Sequence, residues 1–195
     1  MKTCKKAVLW MVLLATVVMT CCSCEPVATG DADEGLAVVY NRYNIHHYLN
    51  KGKYYAGYAN YVEPLQHGFL PANSAIVIGS YRRGFKVTDK ESGMEIYFEF
   101  KSSNMGGMSK DEYLELITAS APMSYDHLSA VDKQGIQDGQ VTQGMSKDGV
   151  MVAWGYPAKH RTPSLEDNTW TFWQDRFRTV QVNFGADGKV TNIVR

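Results

Sequence analysis

The sequence predicts an α+β protein: a small antiparallel β meander domain, followed by a module of two helices and a three-stranded antiparallel sheet. Three observations carry that expectation. Runs rich in β-branched and aromatic residues, separated by turn chemistry, fill residues 75–100. Ser109 with Glu112 three residues on opens an apolar period of helical spacing. Beyond Ser146, a helical pattern closing at Gly155 and Pro157 gives way to three strand-like runs.

The first 20 residues read as an export signal. Lys2, Lys5 and Lys6 precede an uncharged, mainly apolar run from Ala7 to Met19. A helix of that length rises about 20 Å, short of the roughly 30 Å hydrocarbon core of a bilayer. The run therefore suits a cleaved signal better than a membrane span. All four cysteines lie here, at Cys4, Cys21, Cys22 and Cys24, and none follows, so no disulfide framework holds the body of the chain. Cysteines at the end of such a run resemble a lipobox, in which a thiol is acylated before cleavage. Cys21 follows the apolar run directly and is the expected lipidation site, with Cys24 as the alternative. Several acyl chains on one cysteine would hold the protein on a membrane without a transmembrane helix.

Residues 21–37 are expected to form a flexible tether, since Glu25 to Gly35 is small, polar and acidic, with no apolar period. Residues 38–108 form a tyrosine-rich β domain. Seven of the 12 tyrosines fall between Val38 and Val62, too many for a uniform spread. Tyrosine joins a large apolar ring to a polar tip, which suits a half-wet core or a recognition surface; Tyr54 and Tyr58 are the candidate binding residues of this stretch. Pro71 and Asn73 mark the start of the meander. Its strands are Ala75 to Tyr81, Phe85 to Thr88 and Met94 to Phe100, with turns at Arg83-Gly84 and Glu91-Ser92-Gly93.

Residues 109–135 are a helical connection. The Ser109 capping box starts a helix whose apolar face is Tyr113, Leu114, Leu116 and Ile117, and Pro122 is expected to stop it. A second helix is expected from Tyr125 to Lys133, ended by Gly135. The string Gly-Met-Ser-Lys-Asp occurs at 107–111 and again at 144–148; divergent flanks favour a reused capping solution over a duplication.

Residues 136–195 form the last module. Ser146 caps a helix from Lys147 to Trp154, weakened by Gly149 and ended by Gly155 as a left-handed cap. A polar loop, Lys159 to Asn168, leads to strands at Thr169 to Gln174, Arg178 to Phe184 and Lys189 to Val194. Ala186-Asp187-Gly188 is the hairpin turn between the last two.

This last module resembles a known family. Gly144-Met145-Ser146, Val150, Trp154-Gly155-Tyr156-Pro157, Trp170-Thr171-Phe172, Val180, Val182, Phe184 and Gly188 to Ile193 look like the SmpA/OmlA domain of the BamE-type outer-membrane assembly lipoproteins. The beta-lactamase inhibitor protein has a similar α/β unit. The resemblance covers Ile136 to Arg195 of the 195 residues. It implies two helices on a small antiparallel sheet in a lipoprotein, with a role in β-barrel assembly or envelope integrity. The matching residues are caps, turns and core, which carry fold rather than activity. The chain departs from that short family in the long tyrosine-rich and β-rich stretch before the module.

Charge narrows the partners. The whole chain has 20 basic and 20 acidic residues; without Lys2, Lys5 and Lys6 the balance is 17 to 20, slightly acidic. Such a chain is not expected to bind nucleic acid. No cofactor is implied. His46, His47, His67, His127 and His160 lack metal-ligand spacing, and no cysteine ligand or nucleophile lies in the body. No nucleophile elbow or phosphate-cradling loop is present, so the chain is not expected to be an enzyme. The basic loop Lys159, His160 and Arg161, with Trp170 and Trp173 near it, is the second candidate contact. The expected function is a lipid-anchored binding or scaffold protein of the cell envelope. It would face the periplasm from the outer membrane and bind an envelope protein. The alternatives are an inhibitor-like module and a glycan-binding or hydrolytic envelope protein.

Overall fold

β-branched and aromatic residues set most of the fold through strand pairing. The structure, a computed structural model, describes residues 36–63 and 67–195. The predicted signal, all four cysteines and most of the tether lie outside the described residues.

The chain is α+β. Its first strands are β1 (Val38–Asn41), β2 (Ile45–Asn50), β3 (Lys53–Gly57) and β4 (His67–Leu70). The meander follows as β5 (Ala75–Tyr81), β6 (Gly84–Asp89) and β7 (Glu95–Glu99). Helix α1 (Lys110–Ile117) leads into a two-residue strand, β8 (Thr118–Ala119). The eight strands make one sheet in the order β4-β2-β3-β7-β6-β5-β1-β8. The meander is antiparallel as expected, but the sheet around it is larger than expected and mixed, because β3 pairs parallel to β7.

The sheet curls until its ends meet. Val38 faces Val77 and Tyr40 faces Ala75; Ile45 faces Leu70 and Tyr48 faces His67. Each step forward along one strand is a step back along the other, with the same register on both sides of the bend. The two segments are thus one antiparallel ribbon, kinked near residues 42–44 and 71–74, that closes a ring with β3, β7 and β6. The inner side holds Ile45, Ala56, Ile76, Phe85, Val87, Ile96 and Phe98. Phe85 and Phe98 stack at 4.5 Å. Tyr113 and Ile117 of α1 join this core.

The capping box of α1 is present as expected: Ser109 accepts from the Glu112 amide, and the Glu112 carboxylate accepts from the Ser109 amide. The helix ends at Ile117, before Pro122 can act. The Thr118 hydroxyl donates to the Leu114 carbonyl at 2.7 Å, and Thr118 turns extended to pair with β1. The second helix, α2, spans Ala130–Asp138 rather than Tyr125 to Lys133. Ser129 and Asp132 form its capping box, and Gly139 closes it at φ 65°. Gly135 does not end it but lies inside, where a Cβ would meet the Met145 sulfur at 2.5 Å. Close packing, not chain termination, requires that glycine.

Helix α3 (Lys147–Trp154) and strands β9 (Thr169–Trp173), β10 (Thr179–Phe184) and β11 (Val190–Val194) follow the expected bounds closely. The strands form a separate antiparallel sheet in the order β11-β10-β9. Val150, Ala153 and Trp154 of α3 pack on Trp170, Phe172, Val180 and Val182 in a second core. Gly155 takes φ 78° and ψ −168°, an extended glycine conformation rather than the expected left-handed cap. The repeated Gly-Met-Ser-Lys-Asp string forms the same local structure twice. Gly107 and Gly144 have φ 86° and 90°, and Ser109 and Ser146 cap the helices that follow.

The two cores are joined by the bend between β1 and β2. A helix leaves its last carbonyls unpaired, and those of α3 are claimed one by one. The Asn44 amide donates to Val152 O at 2.9 Å, His46 Nε2 to Ala153 O at 2.9 Å, and Asn60 Nδ2 to Trp154 O at 2.5 Å. A carbonyl can only accept, so His46 carries its proton on Nε2. Asn44 Nδ2 reaches Ile136 O of α2, and the Arg42 amide and Nε reach Ile117 O and Thr118 O behind α1. One short bend therefore receives the ends of α1 and α3 and a carbonyl of α2.

Candidate functional site

Strand alternation sorts the tyrosines. Tyr54 precedes Ala56 by two residues and shares its inner side: it packs on the first core and meets His47 edge-on at 4.9 Å. Tyr58 also packs there, and its hydroxyl accepts from Asn104 Nδ2. Both expected binding tyrosines are thus engaged internally. The outward set is Tyr48 and Tyr55, joined by Tyr61, Tyr97 and Tyr81. Ring centroids run 6.1 Å from Tyr61 to Tyr48, 6.0 Å to Tyr55, 5.7 Å to Tyr97 and 5.3 Å to Tyr81. A continuous half-exposed aromatic row thus crosses β2, β3, β7 and β5.

Charged groups border the row. Lys53 Nζ lies 5.0 Å above the Tyr97 ring. Arg83 pairs with Glu99 at 2.6 Å and Lys86 with Glu95 at 2.5 Å, both on the outer side. Lys86 and a phenol from Tyr97 hold the Glu95 carboxyl below its usual range. Burial pushes the Tyr48 and Tyr61 phenols up; Glu99 adds to this in both, while Arg176 opposes it. Arg176 therefore stands near this end of the row.

The basic loop forms a second patch. Lys159, His160 and Arg161 are exposed. The His160 ring stacks beside Trp173 at 6.3 Å, and the Arg161 guanidinium lies 5.6 Å from the Trp173 ring. The His160 amide and Nδ1 both meet the Asn104 carbonyl, whose side chain holds Tyr58. Trp173 Nε1 is buried without a hydrogen-bond partner among the described residues. Trp170 does not belong to this patch. It is 1% exposed in the second core, with Nε1 donating to Leu165 O at 3.2 Å. Lys159 points elsewhere, lining a shallow hollow with Met105, Met108 and Glu112.

No family model, curated protein or solved structure matches the chain. Among the described residues, no group of three histidines, cysteines or acids could hold a metal ion, and no helix is long and apolar enough to cross a membrane. What the described surface presents is aromatic area bordered by fixed charges. The outer members of that row, Tyr48, Tyr55 and Tyr61, carry the same sequence signal as Tyr54 and Tyr58. Only the strand phase separates them, and the sequence left that phase unassigned.

A cleft of about 210 Å³ opens elsewhere, between the β1–β2 bend, the segment 123–127, α3 and Tyr156. Arg42, His127 and Asp148 are its charge-bearing lining groups, and Met123, Met151 and Val152 its aliphatic ones. Sequence inspection gave no signal for it, since these residues come from four separate segments.

Proposed function

We propose that this chain is a lipid-anchored binding or scaffold protein of the cell envelope, acylated at Cys21 or else Cys24, which recognises a protein partner through its aromatic row. It faces the periplasm from the outer membrane and supports outer-membrane protein assembly or envelope integrity. The N-terminal charge, apolar run and cysteines support the anchor. Helix α3 and the end of α2 beside a three-stranded antiparallel sheet, within the residues 136–195 that resemble the SmpA/OmlA domain, support the kinship.

The observation that carries the binding reading is the row Tyr61, Tyr48, Tyr55, Tyr97 and Tyr81, half-exposed and edged by Lys53, Arg176 and two ion pairs. Tyrosine and arginine are enriched where proteins bind proteins, tyrosine because it brings a large contact area with little entropy loss. A sugar needs an open ring face, whereas Tyr48 and Tyr55 stack on one another at 30°. That geometry favours a protein over a glycan.

Photocrosslinking in intact envelopes tests this. A photoreactive phenylalanine at Tyr55 or Tyr97 should give one discrete protein adduct, weakened about tenfold when Tyr48 becomes Ala. The same group at Lys110 of α1 should give none. Equal adducts from all three positions, or glycan adducts in place of protein, contradict the reading.

A further inference from the structure

The cleft between the β1–β2 bend and α3 joins two opposite charges that do not meet. Arg42 and Asp148 both line it, yet among the described residues no ion pair joins them. Arg42 is held from behind: its Nε donates to Thr118 O at 2.6 Å and its amide to Ile117 O, leaving the two terminal nitrogens of the fork for another acceptor. Tyr125 fixes the same residue, donating from its hydroxyl to Arg42 O at 3.1 Å. Asp148 stands in the first turn of α3. The Tyr156 phenol senses both charges: burial raises its pKa, Asp148 adds to that and Arg42 opposes it. Met123, Met151 and Val152 supply aliphatic lining to the same cleft.

A guanidinium and a carboxylate that share a half-enclosed hollow without pairing suit a guest carrying both charges. The volume of about 210 Å³ is below the roughly 300 Å³ at which drug-sized sites begin, so the guest is small. We propose that this cleft binds one free α-amino acid with an apolar side chain. Arg42 takes its carboxylate through paired N–H donors, Asp148 takes its ammonium, and Met123 and Met151 pack on the side chain, methionine adapting readily to a varied shape. The proposal does not rest on the lipid anchor or on the aromatic row.

Calorimetric titration of the full chain in detergent tests it, with L- and D-forms of leucine, methionine and phenylalanine as probes. At least one should bind saturably at one per chain. N-acetyl-leucine and leucinamide, each with one charge removed, should bind at least about tenfold more weakly than leucine. Asp148→Asn should bring leucine down to the level of N-acetyl-leucine without changing the melting temperature. Met151→Trp should fill the hollow and abolish binding, with an unchanged circular dichroism spectrum as its control. Absence of saturation by all six probes at millimolar concentration overturns the proposal. Equal binding of leucine and N-acetyl-leucine overturns it, and so does unchanged affinity in Asp148→Asn.

Discussion

At the scale of single residues, Asp132 does more than a capping residue ordinarily does. Its Oδ2 accepts from the Ser129 amide and hydroxyl at the start of α2, and its Oδ1 accepts from the Ser146 amide at the start of α3. Burial raises the carboxyl pKa, but the bonds from Ser129 and Ser146 outweigh this and hold it below the usual value. A carboxylate with a depressed pKa stabilises the fold above its unfolded pKa, near 4, and loses that contribution as pH falls through the folded value. Asp132→Ala should cost about 2–4 kcal/mol at pH 7, from two weakened caps and unpaired buried donors. The deficit should shrink as pH falls from about 4 and level off below the folded value, where the carboxyl is protonated in both states; urea unfolding across that range checks this. Gly149 reports on the same carboxylate, since a Cβ there would lie 2.1 Å from Asp132 Oδ1. Gly149→Ala should destabilise the native chain. In an Asp132→Ala background the loss should be smaller, because the contacts with Oδ1 and Cγ at 2.1 and 2.6 Å go while that with Cβ at 2.8 Å stays. Equal effects in both backgrounds in a double-mutant cycle would contradict this coupling. Neither role was legible beforehand. Asp132 belongs to a helix whose start was expected at Tyr125, and Gly149 stood out only as a weak helix residue.

Among the elements, those governed by local rules were legible and those governed by distant partners were not. Strands β5, β6 and β7, helix α3 and strands β9 to β11 follow from alternation, caps and turn residues within a few positions of each other. The misplaced end of α1 has a tertiary cause: β1 draws Thr118 and Ala119 into its own ladder. The parallel pairing of β3 with β7 joins residues about 40 apart, and no local signal announces it. For the candidate surface, tyrosine enrichment was legible but the phase of β3 was not, so Tyr54 was favoured over the outward Tyr55. The basic loop is legible from its charge, whereas the burial of Trp170 is not, because an aromatic strand residue carries no mark of which side it faces. Helix α3 also depends on distant groups. Gly155 must follow it at φ 78°, and a Cβ there would lie 2.7 Å from the Tyr43 ring and 3.0 Å from Asn60 Nδ2, the group that holds Trp154 O. Gly155→Ala should therefore cost more than about 1 kcal/mol. Thermal unfolding checks the loss; a variant as stable as the parent would contradict the account of this helix end.

For the whole molecule, the buried bend ties the barrel-like sheet to the α/β module. The described residues lie within one compact unit. Asn41, Asn44, His46 and Asn60 are each 1% exposed, although such residues are mostly found at surfaces. Their burial is tolerable because each binds backbone groups across the bend. A fragment of residues 136–195 would lose the start of α2 and the donors that satisfy the end of α3. It should show collapsed amide dispersion in NMR where the full chain shows a dispersed spectrum. A well-dispersed fragment would mean that the module folds without the bend.

The functional reading places this unit on a membrane by a lipid at the N-terminus, so the most direct measurement is metabolic labelling of cells with palmitate, followed by mass analysis of the recovered chain. The account predicts a labelled polypeptide beginning at Cys21, or at Cys24, with the label lost when that cysteine becomes Ser. An unlabelled chain that keeps its first 20 residues would contradict it.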